Sequence, residues 1–289
     1  MIVTDSIKLG SLKIIQSENC LNILQLPVPT TIELFKSYGL LLFRGFSVNN
    51  EQMQAFAEQF SSRFVLDKDR PIVNLKNRFV TLVDPGMHYV SPHCENANSP
   101  FSPDVVWFCC AVPASQGGET LIWDGGRVWE ELSEDLKQLF ISQKIRFVQK
   151  FPAADWKRFL GSGSTIADVK RTLDNLKGVN YQINSDQSVS LEYVCSAVVK
   201  TKYGNQDAFA NSLISEYKNP RGMVTFEDGS PIPVAVINQI QEVMNRLTEV
   251  ITWQPGDLVM IDNSRFLHGR RSFTDTRRRI FSLLSYLKD

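Results

Sequence analysis

Histidine is scarce in this chain of 289 residues, which holds three, His88, His93 and His268. Any site built on imidazole must draw on those positions alone. The five cysteines (Cys20, Cys94, Cys109, Cys110, Cys195) contain no CxxC pair. Their odd number argues against a complete secreted disulfide framework, so a reducing compartment is expected. Neither sign of charge is in excess, since Lys plus Arg and Asp plus Glu each come to 31. Nothing in that balance attracts nucleic acid or an anionic membrane. No apolar stretch approaches the roughly 18 residues that a membrane span requires, and Met1 to Lys8 show no basic start leading into an apolar run. Internal repeats and low-complexity tracts are missing as well. The expected setting is cytoplasmic and the expected partner a small molecule, with neither membrane nor nucleic acid engaged.

What is present is enough apolar residue, 43% of the chain, for one sizeable core and a single domain over residues 1–289. Thr31 to Tyr38 reads as a short helix closed by Gly39, and Leu40 to Phe46 as a buried strand. Asn49 or Asn50 caps a helix in which Met53, Phe56, Ala57 and Phe60 recur at helical spacing, a pattern of core packing. Strands are expected at 104–112, 119–124, 258–262 and 281–287, and amphipathic helices at 128–140 and 231–250. Cys109 and Cys110, adjacent in a strand, face opposite ways as small apolar fillers. Between about 152 and 230 the composition is irregular, with a helix candidate at 166–176, and the segment reads as a lid or insertion over a scaffold. Substrate selectivity is expected largely there.

The chemistry centres on Ser91-Pro92-His93-Cys94-Glu95. In an extended strand positions i and i+2 point the same way, whereas on a helix they sit about 200° apart. Pro92 favours an extended backbone just before His93. His268, in Asp262-Asn263-Ser264-Arg265-Phe266-Leu267-His268-Gly269-Arg270, is the best candidate for a third ligand. His88 reads first as a surface or lid residue and second as a substrate contact. Two imidazoles and one carboxylate on one face of an octahedral ion leave the opposite positions open, the geometry of non-haem Fe(II) oxygenases. Such an iron needs an electron donor besides the substrate. A 2-oxo acid can serve, its far carboxylate neutralised by an arginine such as one of Arg277, Arg278 and Arg279, with Thr120 as a hydroxyl donor. In a strand at most alternate members of that triplet point inward, and the others are surface charges.

The ordered blocks Leu42-Phe43-Arg44-Gly45-Phe46, His93-Cys94-Glu95, Gly117-Gly118-Glu119-Thr120, Pro255-Gly256-Asp257 and Asp262 to Arg270 resemble the taurine dioxygenase family of Fe(II)/2-oxoglutarate oxygenases. The likeness spans roughly 39–135 and 250–287. It implies a double-stranded β-helix, or jelly roll, mainly β with flanking helices. It implies that His93, Glu95 and His268 bind iron(II), and that Thr120 and Arg279 bind 2-oxoglutarate, Arg278 being the reserve, for a reaction with O2. Arg279 is chosen because the family's arginine precedes two apolar residues, here Ile280 and Phe281. Where taurine dioxygenase places a sulfonate-binding arginine, this chain has Leu283, a candidate substrate contact that speaks against a sulfonate. Glu95, where many relatives have aspartate, is similar to the clavaminate synthase and amino-acid hydroxylase branch. The implied activity is oxidation, foremost hydroxylation, of an unactivated C–H of an amino acid or natural-product intermediate, free or tethered to a carrier protein. Desaturation or cyclisation is the alternative outcome. A non-catalytic metal-binding jelly roll and a zinc hydrolase are the readings from other classes.

Overall fold

The structure is a computed structural model and describes residues 6–17, 21–67, 70–74, 77–83, 86–219 and 223–288. The turns expected at 67–71 and 84–86 lie partly outside the described residues, as Cys20 does wholly.

Eight strands frame the site: β1 (Leu40–Arg44), β2 (Val90–His93), β3 (Val105–Val112), β4 (Thr120–Asp124), β5 (Glu249–Ile251), β6 (Leu258–Asp262), β7 (Phe266–Arg270) and β8 (Arg279–Leu287). In the larger sheet they run in the order β1, β6, β3, β8, and in the smaller sheet β5, β4, β7, β2. Every pairing among them is antiparallel. The two sheets face each other as the double-stranded β-helix that the family resemblance implies.

Side-chain alternation along the larger sheet makes two cores from one set of strands. Leu40, Leu42, Val106, Phe108, Cys110, Val259, Ile261, Ile280 and Leu284 turn inward to meet Ile122, Ile251 and Phe266 of the smaller sheet. Leu41, Phe43, Trp107, Cys109, Met260, Phe281 and Leu283 turn outward onto the helices α1 (Val28–Tyr38) and α2 (Asn50–Phe60). Cys109 and Cys110 thus occupy opposite faces, as expected. Gly39 ends α1 at φ 70 with its N–H on the Phe35 carbonyl, a conformation that Cβ-bearing residues resist. Asn49 caps α2 in a reciprocal pair with Gln52. Behind the smaller sheet, Leu121, Trp123 and Leu267 pack on α3 (Val234–Leu247) through Ile237, Ile240 and Met244.

Two expectations change. The helix read across 128–140 is two helices, Gly125–Glu131 and Glu134–Ser142. Ser133 breaks it, because its hydroxyl accepts from the Leu136 N–H and starts a new helix. The segment taken as irregular contributes three strands to a four-stranded antiparallel sheet: Val179–Ile183, Val189–Cys195, Ile145–Phe151 and Met223–Phe226, in that order. Helices Ala153–Leu160 and Ile166–Leu173 pack against it through Trp156, Val169 and Leu173. Val179-Asn180-Tyr181-Gln182-Ile183 alternates as a half-covered strand should, but an Asn- and Ser-rich composition masks that alternation. Among the described residues no helix is long and apolar enough to cross a membrane.

Candidate metal and co-substrate site

β2 is an edge strand pairing only with β7, so Pro92 within it removes no ladder hydrogen bond that another strand needs. The expectation of a continuous strand through Glu95 holds as far as His93; Glu95 opens a turn. That turn is held by Asn263, five positions before His268. The Glu95 N–H donates to Asn263 Oδ1 at 2.8 Å, and Asn263 Nδ2 donates to the Glu95 carbonyl at 3.0 Å and to the Pro103 carbonyl at 3.0 Å. In the β2–β7 ladder His93 and His268 are direct partners. Their rings lie 4.3 Å apart, and Phe108 packs edge-on against His268 at 5.3 Å.

One nitrogen of each imidazole and one Glu95 oxygen all lie within 4.8 Å of one another, and no other such three-residue group stands out among the described residues. Burial, with His268 alongside, pulls the His93 imidazole down to about 4, so it is neutral near pH 7 and able to ligate. Its Nδ1 lies 2.9 Å from the Ser91 carbonyl, which leaves Nε2 for an ion. Burial alone would raise the Glu95 carboxyl, but the Arg70 guanidinium and the two imidazoles hold it well below the usual carboxylate range. His268 Nδ1 is buried without a hydrogen-bond partner among the described residues. Two imidazole nitrogens and an ionised carboxylate, gathered within 4.8 Å, fit a divalent transition metal.

Arg70 is a site residue that the sequence does not announce. One of its terminal nitrogens stands 3.1 Å from both Glu95 oxygens, the other donates to Ser282 Oγ at 3.0 Å, and Nε pairs with Asp67 at 3.0 Å. It sits in a stretch that reads as an exposed turn, and only the tertiary fold carries it to Glu95.

Thr120 is buried on β4, where its hydroxyl oxygen accepts from the Trp253 indole N–H at 3.0 Å. The hydroxyl proton is thereby left for another acceptor. Arg279 is exposed at the start of β8, contrary to the choice made from its apolar neighbours. The ladder with β3 slips between Arg279 and Ile280, and Arg278 is the member that turns in. It lies 5.1 Å over the Phe273 ring, with buried Arg270 equally near that ring. Its Nε donates to the Gly118 carbonyl at 3.0 Å. Gly117 and Gly118 make room for this: a Cβ on the first would meet the Ser272 carbonyl at 2.2 Å and one on the second the Arg278 side chain at 2.9 Å. Burial, with Arg270 beside it, draws Arg278 down to about 10. Arg277 is exposed and pairs with Asp275.

The remaining candidates fall elsewhere. Leu283 is buried on the helix-facing side of β8, away from the barrel interior, because it shares the parity of Phe281. His88 has an exposed side chain, and its backbone carbonyl accepts from Arg270. Burial pushes the Cys110 thiol up to about 12 and raises Cys109 and Cys94 too, as suits inert fillers. Other motif residues brace the frame: Arg44 grips Asp257 through two bonds of 3.1 and 2.6 Å, and Arg265 grips Asp124 through another two of 3.1 and 2.6 Å.

Residues 21–284 match the family described as taurine catabolism dioxygenase TauD, TfdA. A clavaminate synthase-like protein of Arabidopsis thaliana is 26% identical over 298 aligned positions, covering 90% of this chain and 88% of that protein. The dapdiamide synthesis protein DdaC of Enterobacter agglomerans is 23% identical over 274, covering 85% and 82%. Among solved structures, PvcB, an Fe, alpha-ketoglutarate dependent oxygenase from an isonitrile synthetic pathway, superposes with a TM-score of 0.60 at 15% identity, over 95% of this chain and 85% of that one. The chain belongs to the TauD/TfdA family and is an Fe(II)- and 2-oxoglutarate-dependent dioxygenase.

Proposed function

We propose that His93, Glu95 and His268 hold the iron(II), that Thr120 and Arg278 bind the far carboxylate of 2-oxoglutarate, and that the enzyme hydroxylates an unactivated C–H of a small molecule. The observation that carries this is the meeting of the two histidines and the carboxylate within 4.8 Å, from segments some 170 residues apart. Together the bound iron and 2-oxoglutarate activate O2, the keto acid contributing the two electrons that its full reduction requires beyond those of a C–H bond. Everything else falls to the protein. His93 presents a neutral imidazole whose other nitrogen faces a carbonyl, and Glu95 an ionised carboxylate held in place by Asn263 and Arg70. Arg278, stacked on Phe273, offers a cation, and Thr120, beside Trp253, a hydroxyl proton. A part-buried guanidinium and a buried hydroxyl have a purpose if an anion joins them, and none in a zinc hydrolase.

The substrate class we favour is an amino acid or an intermediate derived from one, free or carrier-bound. Glutamate in place of aspartate among the ligands, and relatives in dapdiamide and isonitrile synthesis, support that reading. Succinate release from 2-oxoglutarate, with iron(II) and air, is the assay. Wild type should release it, slowly even without substrate, whereas His93→Ala and Glu95→Gln should release none; full activity in either variant would overturn the ligand assignment.

A further inference from the structure

A cavity of about 540 Å³ opens beside the metal-ligand turn. Its wall begins at Asn96, the residue after Glu95, and includes Asp67, which pairs with the arginine that grips Glu95. One side of the lining is apolar, with Leu66, Phe151, Trp156, Val169, Leu173 and Leu191, while Arg63, Ser99, Thr172 and Tyr286 add polar groups. Trp156 donates its indole N–H to the Gln187 carbonyl, so it offers the space a hydrocarbon surface and no free donor. Phe101 and Leu160, on the same lining, are 41% and 38% exposed, and exposed apolar rims mark binding sites more often than chance. The cavity's size falls within the range of small-molecule sites, roughly 300–1,000 Å³.

The geometry points to a substrate with a sizeable apolar portion, an acyl chain or aryl group beyond the reacting carbon, seated between the segment 145–191 and the strand Ser61–Val65. This rests on the metal centre proposed above, which Asn96, next to Glu95, and Asp67, paired with Arg70, set beside the cavity. A small, wholly polar amino acid would leave the cavity unfilled. The occupant's polar end meets the polar mouth at Asn96, Asn98 and Gln149, and its chain the hydrophobic interior.

N-hexanoyl-, N-octanoyl- and N-decanoylglycine serve as probes, titrated against the protein with Mn(II) and 2-oxoglutarate and read by tryptophan fluorescence. Affinity should tighten about 4-fold per added methylene, the equivalent of about 0.8 kcal/mol, until the space is full. Val169→Trp, which fills the interior, should flatten the series. Thr172→Trp, at a half-buried lining position more tolerant of change, should do the same. Mn(II) affinity, measured separately by electron paramagnetic resonance, should be unchanged in both. A flat series in wild type, or a series indifferent to both substitutions, overturns the inference. Loss of Mn(II) binding with the series intact would sink the metal assignment and leave the apolar site standing.

Discussion

Asn263 joins the two halves of the ligand set through the backbone. Its side chain holds the Glu95 N–H and carbonyl, and it lies in the turn between β6 and β7, the strand that carries His268. Replacing it with alanine leaves the buried Glu95 N–H unsatisfied, at about 1–3 kcal/mol, while the Glu95 carbonyl keeps the Ser102 hydroxyl. We expect Asn263→Ala to lower the melting temperature and to weaken Mn(II) binding by roughly 10–100-fold, the range for loss of an outer-shell partner. Calorimetry and paramagnetic titration would read the two effects. His93 sets a pH dependence. Its imidazole sits at about 4 in the folded protein against an ordinary 6.5, so between those values the unfolded chain binds the additional proton. Stability of the metal-free protein is therefore present above pH 6.5 and lost as pH falls towards about 4. Glu95, held low by Arg70, loses its own contribution in the same direction at still lower pH. Chemical denaturation at stepped pH should show the slope, and His93→Asn should flatten its upper part.

Strand β8 shows how alternation, once anchored, assigns chemistry. Three consecutive arginines offer no local basis for choosing among them, but Ile280 and Leu284 face the barrel interior and Arg278 shares their parity, while the extra residue in the ladder, Ala111, lies on β3 and leaves β8 unbroken. Arg278→Gln should raise the KM for 2-oxoglutarate by roughly 10–100-fold, matching about 1.5–3 kcal/mol for a hydrogen bond to a charged group. Arg279→Gln should leave it within about twofold. Uncoupled succinate formation at varied 2-oxoglutarate would measure both, and the reverse ranking would restore Arg279. The helices tell a similar story at their ends. Asn49 and Gly39 mark termini that are readable in advance because capping depends on the residue itself. Ser133 interrupts an apolar periodicity that continues across it, so the pattern of Val128 to Phe140 reads as a single helix.

At the scale of the molecule, the proposed metal ligands lie on β2, in the turn after it and on β7, segments far apart in the chain, so a bound ion would cross-link them. At a hundred times its dissociation constant a divalent ion should stabilise the fold by about 2.7 kcal/mol. Melting should rise by roughly 5–10 °C with Mn(II) and return to baseline with a chelator; no shift would mean that the three side chains bind no ion in the native state. The sequence by itself determined which side chains could meet as proposed donors, since three histidines leave little choice, and it determined the faces of the barrel strands, because alternation is fixed by covalent geometry. It also held the Gly-Gly-Glu-Thr turn and the strand order of the jelly roll in recognisable blocks. Only the tertiary structure decided that Arg278 and not Arg279 faces inward, that Arg70 reaches Glu95, that Leu283 looks away from the pocket, and that 145–226 folds into a sheet walling an apolar cavity. Those outcomes depend on register, on which face of a strand meets the barrel and on which distant segments pack together. Each is a relation between residues far apart in the chain, and no local pattern encodes it.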